Sequence, residues 1–223
     1  MQQTTTLDKI TYAFLIVIYL VGLYLDQTDR IYFDTQYAQE DGFVENISAL
    51  GLLFVTLVLW IRLIKLWSSK SITWKIGVFF MGLVFLFGAG EEISWGQRIL
   101  GVESNEFFLE NNAQKETNLH NLVVGETKVN KLIFSQIMFL VLFIYFIIYP
   151  YLYKKKMWVQ NLTNQFAIPV ARTHHIVFFL AYTGLILIMD SSRRWEVLEL
   201  MFAMVFFLIF YRPKNHEKIN LAN

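Results

Sequence analysis

The sequence predicts an all-α fold: a polytopic membrane helical bundle with about six transmembrane helices, forming one domain over residues 1–223. Two observations predict it. Apolar residues make up 56% of the chain and aromatics 17%, with 21 Phe and only three Pro, and the apolar residues gather in long runs from end to end. The charged residues, in turn, sort by sign between alternate connections.

A helix needs about 20 residues to cross the hydrocarbon core, and about 17 suffice. Six stretches come up to this length, the first and last being short: 10–25, 43–61, 72–90, 132–151, 170–189 and 195–211. The first follows only Lys9 and lacks a small-x-small pattern before Asp26, so it reads as a retained helix rather than a cleaved signal. Tyr12, Tyr24, Trp60, Trp67, Trp74, Tyr149, Tyr151, Trp195 and Tyr211 fall at the ends of these runs, as an interfacial belt requires. The N-terminus, the 62–75 and 152–173 loops and the C-terminus together carry 12 of the 19 basic residues and, of the acids, only Asp8 and Glu217. Positive residues stay cytoplasmic, so both termini are expected inside and an acidic, Glu-rich face outside.

Several function classes drop out. A net charge of +1 without a basic stripe gives no nucleic-acid surface. Zero Cys removes disulfides, thiolate metal sites and thiol nucleophiles.

The longest connection, residues 91–131, is expected outside the membrane with short interfacial helices. Ser104 is placed to cap one over 105–112, whose Phe107, Phe108 and Leu109 would rest on the membrane surface. A second piece is expected over 116–124, putting Glu116 and His120 on one face. Charges gather at the same depth. Glu91 and Glu92 end the third run, Glu45 starts the second, Asp190 closes the fifth with Arg193 and Arg194 behind it, and Glu199 lies one turn into the sixth. Carboxylates so placed usually face a partner or a watery cavity. Glu45 or Glu199 alone reads as a salt-bridged helix end, and Arg193 and Arg194 as neutralising Glu196 or Glu199. The Glu91–Glu92 pair is harder to read that way, because Ile93, Trp95, Ile99 and Leu100 carry apolar character beyond it. His174 and His175 look like metal ligands, yet the alternation puts them at the cytoplasmic end, about 30 Å from Glu91, where they read as interfacial histidines beside Arg172.

Gly90-Glu91-Glu92-Ile93-Ser94-Trp95-Gly96-Gln97-Arg98 and Glu116-Thr117-Asn118-Leu119-His120-Asn121 resemble the paired motifs of a family of uncharacterised bacterial multi-pass membrane proteins, and Glu40-Asp41-Gly42-Phe43-Val44-Glu45 is similar to that family's upstream pattern. The resemblance covers about residues 37–135 and implies a bacterial inner-membrane location, but no activity. Glu45-Asn46-Ile47-Ser48, ahead of a glycine-containing helix, is similar to the opening segment of alkaline ceramidases, membrane hydrolases that hold zinc with several histidines and an aspartate. This chain lacks their clustered histidines, so their zinc site is not carried over.

The candidate catalytic residues are Glu91, Glu92, Glu116 and His120, with Trp95, Gln97, Arg98, Asn118, Asn121 and Glu45 as candidate substrate contacts. Glu91, Glu92, Glu116 and His120 could instead hold a hard divalent metal ion such as Mg²⁺, Mn²⁺ or Ca²⁺. Metal-free acid–base chemistry is equally open. Adjacent carboxylates at an apolar edge repel, so one keeps its proton and acts as an acid, with His120 as shuttle and Arg98 on a phosphate or carboxylate group. The first functional expectation is an outward-facing hydrolase or transferase acting on a lipid or lipid-linked substrate. The alternative is a non-enzymatic channel, transporter subunit or membrane assembly partner with an acidic vestibule. The nearly unbroken apolar mid-spans, with Thr56 and Thr183 as the clearest exceptions, disfavour a pore through one subunit. A third reading is structural, with these charges fastening the outer loop to the bundle. Membrane lipids are the expected partners, and a homo-oligomer is left open.

Overall fold

The computed structural model describes residues 4–39, 42–124, 127–128 and 137–220. Glu40 and Asp41 of the upstream motif and the first residues of the fourth run lie outside them.

Helix α1 (Thr6–Thr28) starts at a capping box, in which Thr5 Oγ1 accepts from the Asp8 amide and Asp8 Oδ2 accepts from the Thr5 amide. It leads through Arg30–Tyr32 into a π-helical turn, Phe33–Tyr37. Helix α2 (Phe43–Lys65) and helix α3 (Ile72–Glu92) follow, α3 capped by the Ser71 hydroxyl. A 3₁₀ turn at Ser94–Gly96 and the short helices α4 (Gln97–Leu100) and α5 (Glu106–Asn111) come next, then a two-residue antiparallel ladder, β1 (Val123–Val124) with β2 (Thr127–Lys128). Beyond it lie α6 (Met138–Lys155), α7 (Met157–Gln165), α8 (Thr173–Ile186), α9 (Arg194–Tyr211) and α10 (His216–Asn220). A π-helical turn, Ile144–Ile148, interrupts α6.

Among the described residues four helices, α1, α2, α3 and α6, are long and apolar enough to cross a membrane. Helix α8 is apolar but has 14 residues, and α9 carries Arg194, Glu196 and Glu199 among its 18.

Helix α2 packs along both α3 and α9, and α9 is the most enclosed, burying Val197, Leu200, Met201, Val205 and Ile209 completely. The α2–α3 crossing is close because Gly82 has no side chain. A Cβ there would stand 2.2 Å from Trp60 Nε1, and the Thr56 hydroxyl reaches Gly82 O at 3.2 Å. Phe79, Phe80 and Val84 on α3 and Phe139, Leu140 and Phe143 on α6 face outward. An apolar surface of this extent suits lipid and would be a large sticky patch in water.

Two expected elements differ. The short helix at 106–111 is capped by Asn105, whose Oδ1 accepts from the Phe108 amide, because the Ser104 hydroxyl is taken by Gln97 and Thr117. No helix forms over 116–124. Lys115 sits at φ 61°, and the side chains of Asn112 and Asn118 take backbone groups that a helix would have used.

Candidate functional site

The site begins where α3 stops. Gly90 allows the Trp95 ring to fold back against the helix, since a Cβ there would meet that ring at 2.8 Å. Ser94 (φ 46°) and Trp95 (φ 55°) both take left-handed backbone and hand over to Gly96 at φ 76°. Each non-glycine residue there costs roughly 1–3 kcal/mol, so the surroundings must hold the reversal in place.

They do so through the two motifs. One oxygen of the buried Glu91 accepts from Trp95 Nε1 at 2.9 Å, and the other accepts the amides of Leu119 at 2.6 Å and His120 at 3.1 Å. Glu116, also buried, accepts from the Ser94 hydroxyl at 2.6 Å and pairs with the half-exposed Arg98 guanidinium. Asn118 Nδ2 donates to Ser94 Oγ at 2.8 Å, while its Oδ1 accepts from Asn112 Nδ2 at 2.8 Å and from the Asn121 amide at 3.2 Å. Gln97 Oε1 accepts the Thr117 amide at 2.8 Å and the Ser104 hydroxyl at 2.9 Å. Strand-like and turn backbone from 112 to 122 is thereby fastened to the end of α3.

His120 lies beside Glu91, its Nδ1 3.8 Å from the carboxylate, while Asn121 Nδ2 donates to Nε2 at 2.8 Å. An imidazole that accepts at Nε2 carries its proton on Nδ1, facing Glu91. Glu116 and His120, expected on one helical face, therefore serve different carboxylate clusters.

Successive helical residues point about 100° apart, so Glu91 and Glu92 part company. Glu91 turns to the cap. Glu92, half-buried, lies within electrostatic reach of Glu45 at the start of α2 and Glu196 at the start of α9, besides Glu91 itself. Among the described residues its carboxylate has no hydrogen-bond partner. Glu45 is buried, and one turn deeper on α2 the Ser48 hydroxyl is buried with no hydrogen-bond partner among the described residues. Glu196 takes Arg193 at 3.7 Å, the neutralisation expected from the sequence.

The proposed hard-metal quartet does not assemble. Glu91, Glu92, Glu116 and His120 do not bring three ligand atoms within 4.8 Å of one another, because Glu91 and Glu116 are drawn into separate hydrogen-bond sets. The cap does carry a cleft of about 360 Å³ lined by Gln97, Arg98, Val102, Glu103, Ser104 and Lys115.

Ser94 and Asn112 were not singled out from the sequence, although they bridge the motifs. Ser94 lies inside the first motif and its signal was available, whereas Asn112 precedes the second and carried none. A further buried acid, Asp26, accepts the amides of Asp190 and Ser191 at 3.0 Å each and pairs with Arg30 at 3.1 Å, tying the end of α1 to the connection between α8 and α9.

Compared with family models, curated proteins and solved structures, the chain matches none.

Proposed function

We propose that this chain crosses a bacterial inner membrane six times with both termini in the cytoplasm, and that its outer end is the site of a hydrolase or transferase acting on a lipid or lipid-linked substrate. Helices α8 and α9 supply the fifth and sixth crossings, and the segregation of Lys and Arg to alternate connections supports the orientation. The observation that carries the reading is the convergence of Glu45, Glu92 and Glu196 from three helix ends beneath a cap locked by a strained turn. Strained backbone held by a dense hydrogen-bond set is how a protein fixes reacting groups in place.

In this reading Glu92 transfers the proton, being the motif carboxylate left outside the hydrogen-bond set. Glu91 orients the His120 ring rather than reacting, and Arg98 and Lys115 in the cap cleft receive a phosphate or carboxylate of the substrate. The exposed Trp95, Ile99, Leu100 and Phe107 set that cleft at the membrane surface, within reach of headgroups.

The test is turnover of extracted or synthetic phospholipid in proteoliposomes. Glu92→Gln should abolish turnover while the protein stays folded. No turnover by the wild type would end the enzymatic reading, and full turnover by Glu92→Gln and His120→Ala alike would end the assignment of the chemistry to these residues.

One observation favours a second, non-enzymatic reading. Glu91 and Glu116 are fully engaged in holding the cap, as a purely structural clasp or a rigid assembly surface requires. In that case Glu92→Gln changes nothing measurable, and the clasp variants lose folding alone.

A further inference from the structure

At the opposite end of the bundle from the cap, the first turns of α1 and α8 bring Asp8, His174 and His175 together. Among the described residues they are the one group of three His or carboxylate side chains whose ligand atoms all lie within 4.8 Å of one another. His175 Nε2 stands 3.2 Å from Asp8 Oδ1, and His174 Nε2 stands 3.9 Å from Asp8 Oδ2. Asp8 and His175 are almost wholly buried, so these are not solvated surface groups that meet by chance.

Much of the cluster has a structural explanation. Asp8 Oδ2 accepts from the Thr5 amide and hydroxyl as part of the capping box, and His175 packs against it. One atom is left over. Among the described residues His174 Nε2 is buried with no hydrogen-bond partner, while the Tyr12 hydroxyl engages the other ring nitrogen, Nδ1, at 2.9 Å. A Tyr hydroxyl that accepts from Nδ1–H leaves the Nε2 lone pair facing the carboxylate, and an outer partner on one imidazole nitrogen is what metal-bound histidines generally have.

We propose that Asp8, His174 and His175 form a binding site for a divalent transition metal of the zinc type, distinct from the outer cap. Two imidazoles and one carboxylate with a position left over are a zinc-type donor set. Ligands on tetrahedral zinc stand about 3.4 Å apart, so the 3.2 Å pair needs no change and the others, all within 4.8 Å, must close by at most about 1.4 Å. His175 Nδ1 must also give up its 3.4 Å approach to the Arg172 amide, since a ring bound at Nε2 has a proton there. The buried Arg172 adds positive charge at the same corner. With a single carboxylate to offset it, charge alone will not hold an oxygen-seeking cation, so the site selects ions that bind nitrogen and rejects Mg²⁺ and Ca²⁺.

The experiment is metal titration of the detergent-purified, chelator-treated full chain. Zn²⁺ measured by calorimetry and Co²⁺ measured by its visible tetrahedral absorption should each bind at one equivalent, unaffected by a large excess of Mg²⁺. His174→Ala should weaken binding at least a hundredfold, and Tyr12→Phe about tenfold, as loss of an outer partner does. Zn²⁺ should raise the melting temperature of the wild type but not of His174→Ala. Should His174→Ala fail to fold, the isosteric His174→Gln reads the same loss. A wild type that takes up no Zn²⁺ or Co²⁺, or a folded His174 variant that binds as tightly as the wild type, overturns the proposal.

Discussion

Replacing Glu91 by Ala strips the acceptor from three donors at once: Trp95 Nε1 and the amides of Leu119 and His120. Hydrogen bonds to a charged acceptor contribute about 1.5–3 kcal/mol each. Trp95 is half exposed and recovers water, so its share is discounted. The two backbone amides remain, at about 1.5 kcal/mol each on the low side of that range. The expected loss is therefore about 3 kcal/mol, on the order of a hundredfold in the equilibrium for lifting the cap. Hydrogen exchange read by mass spectrometry on peptides covering 112–122 measures this directly, with peptides from α9 as the internal reference. Glu92→Ala is the matched control. With no hydrogen-bond partner among the described residues and three carboxylates nearby, its removal should leave cap exchange within about 1 kcal/mol of the wild type or slow it. Equal exchange in Glu91→Ala and the wild type would refute the idea that this carboxylate holds the cap down.

Gly90→Ala places a methyl 2.8 Å from the Trp95 ring and should lower stability by about 1–3 kcal/mol, seen as an earlier thermal transition by tryptophan fluorescence. Asp26→Asn keeps one acceptor oxygen for two amides and for Arg30, which is itself partly exposed. About 1–3 kcal/mol should be lost, with faster proteolysis at 187–193 as the local readout. Burial, and then Arg62, Arg212 and Arg172, hold the His216 imidazole below its usual value. The unfolded chain therefore takes up a proton on acidification before the folded one does. Stability should fall as pH drops through about 6.5, and His216→Gln should flatten that part of a melting-temperature profile.

Helices α1, α2, α3 and α6 were legible because each is a long apolar run, and in lipid backbone polar groups must be satisfied within the segment. Glu45, Glu92 and Glu199 could be placed at one end by alternation alone, and the structure sets Glu45 and, from the sixth run, Glu196 within electrostatic reach of Glu92. The cap was not legible in the same way. Spacing put Glu116 and His120 on one helical face, but Asn112 and Asn118 take nearby amides locally while Gln97 and Glu91 accept amides across the motifs. The partners across the motifs are up to 29 residues apart, as with Glu91 and His120, and local periodicity cannot see them. Asp8 was missed for a related reason. It counted only as an acid among basic residues, and its meeting with His175 spans 167 positions.

The left-handed passage through Ser94, Trp95 and Gly96 constrains how this corner can diverge over time. A residue there is tolerable only while the opposite strand of partners remains, so a change at Glu116 alters what is acceptable at Ser94 and Arg98. Substitutions in the two segments should therefore be accepted in compensating sets, and single exchanges between divergent versions should fail where the paired exchange succeeds.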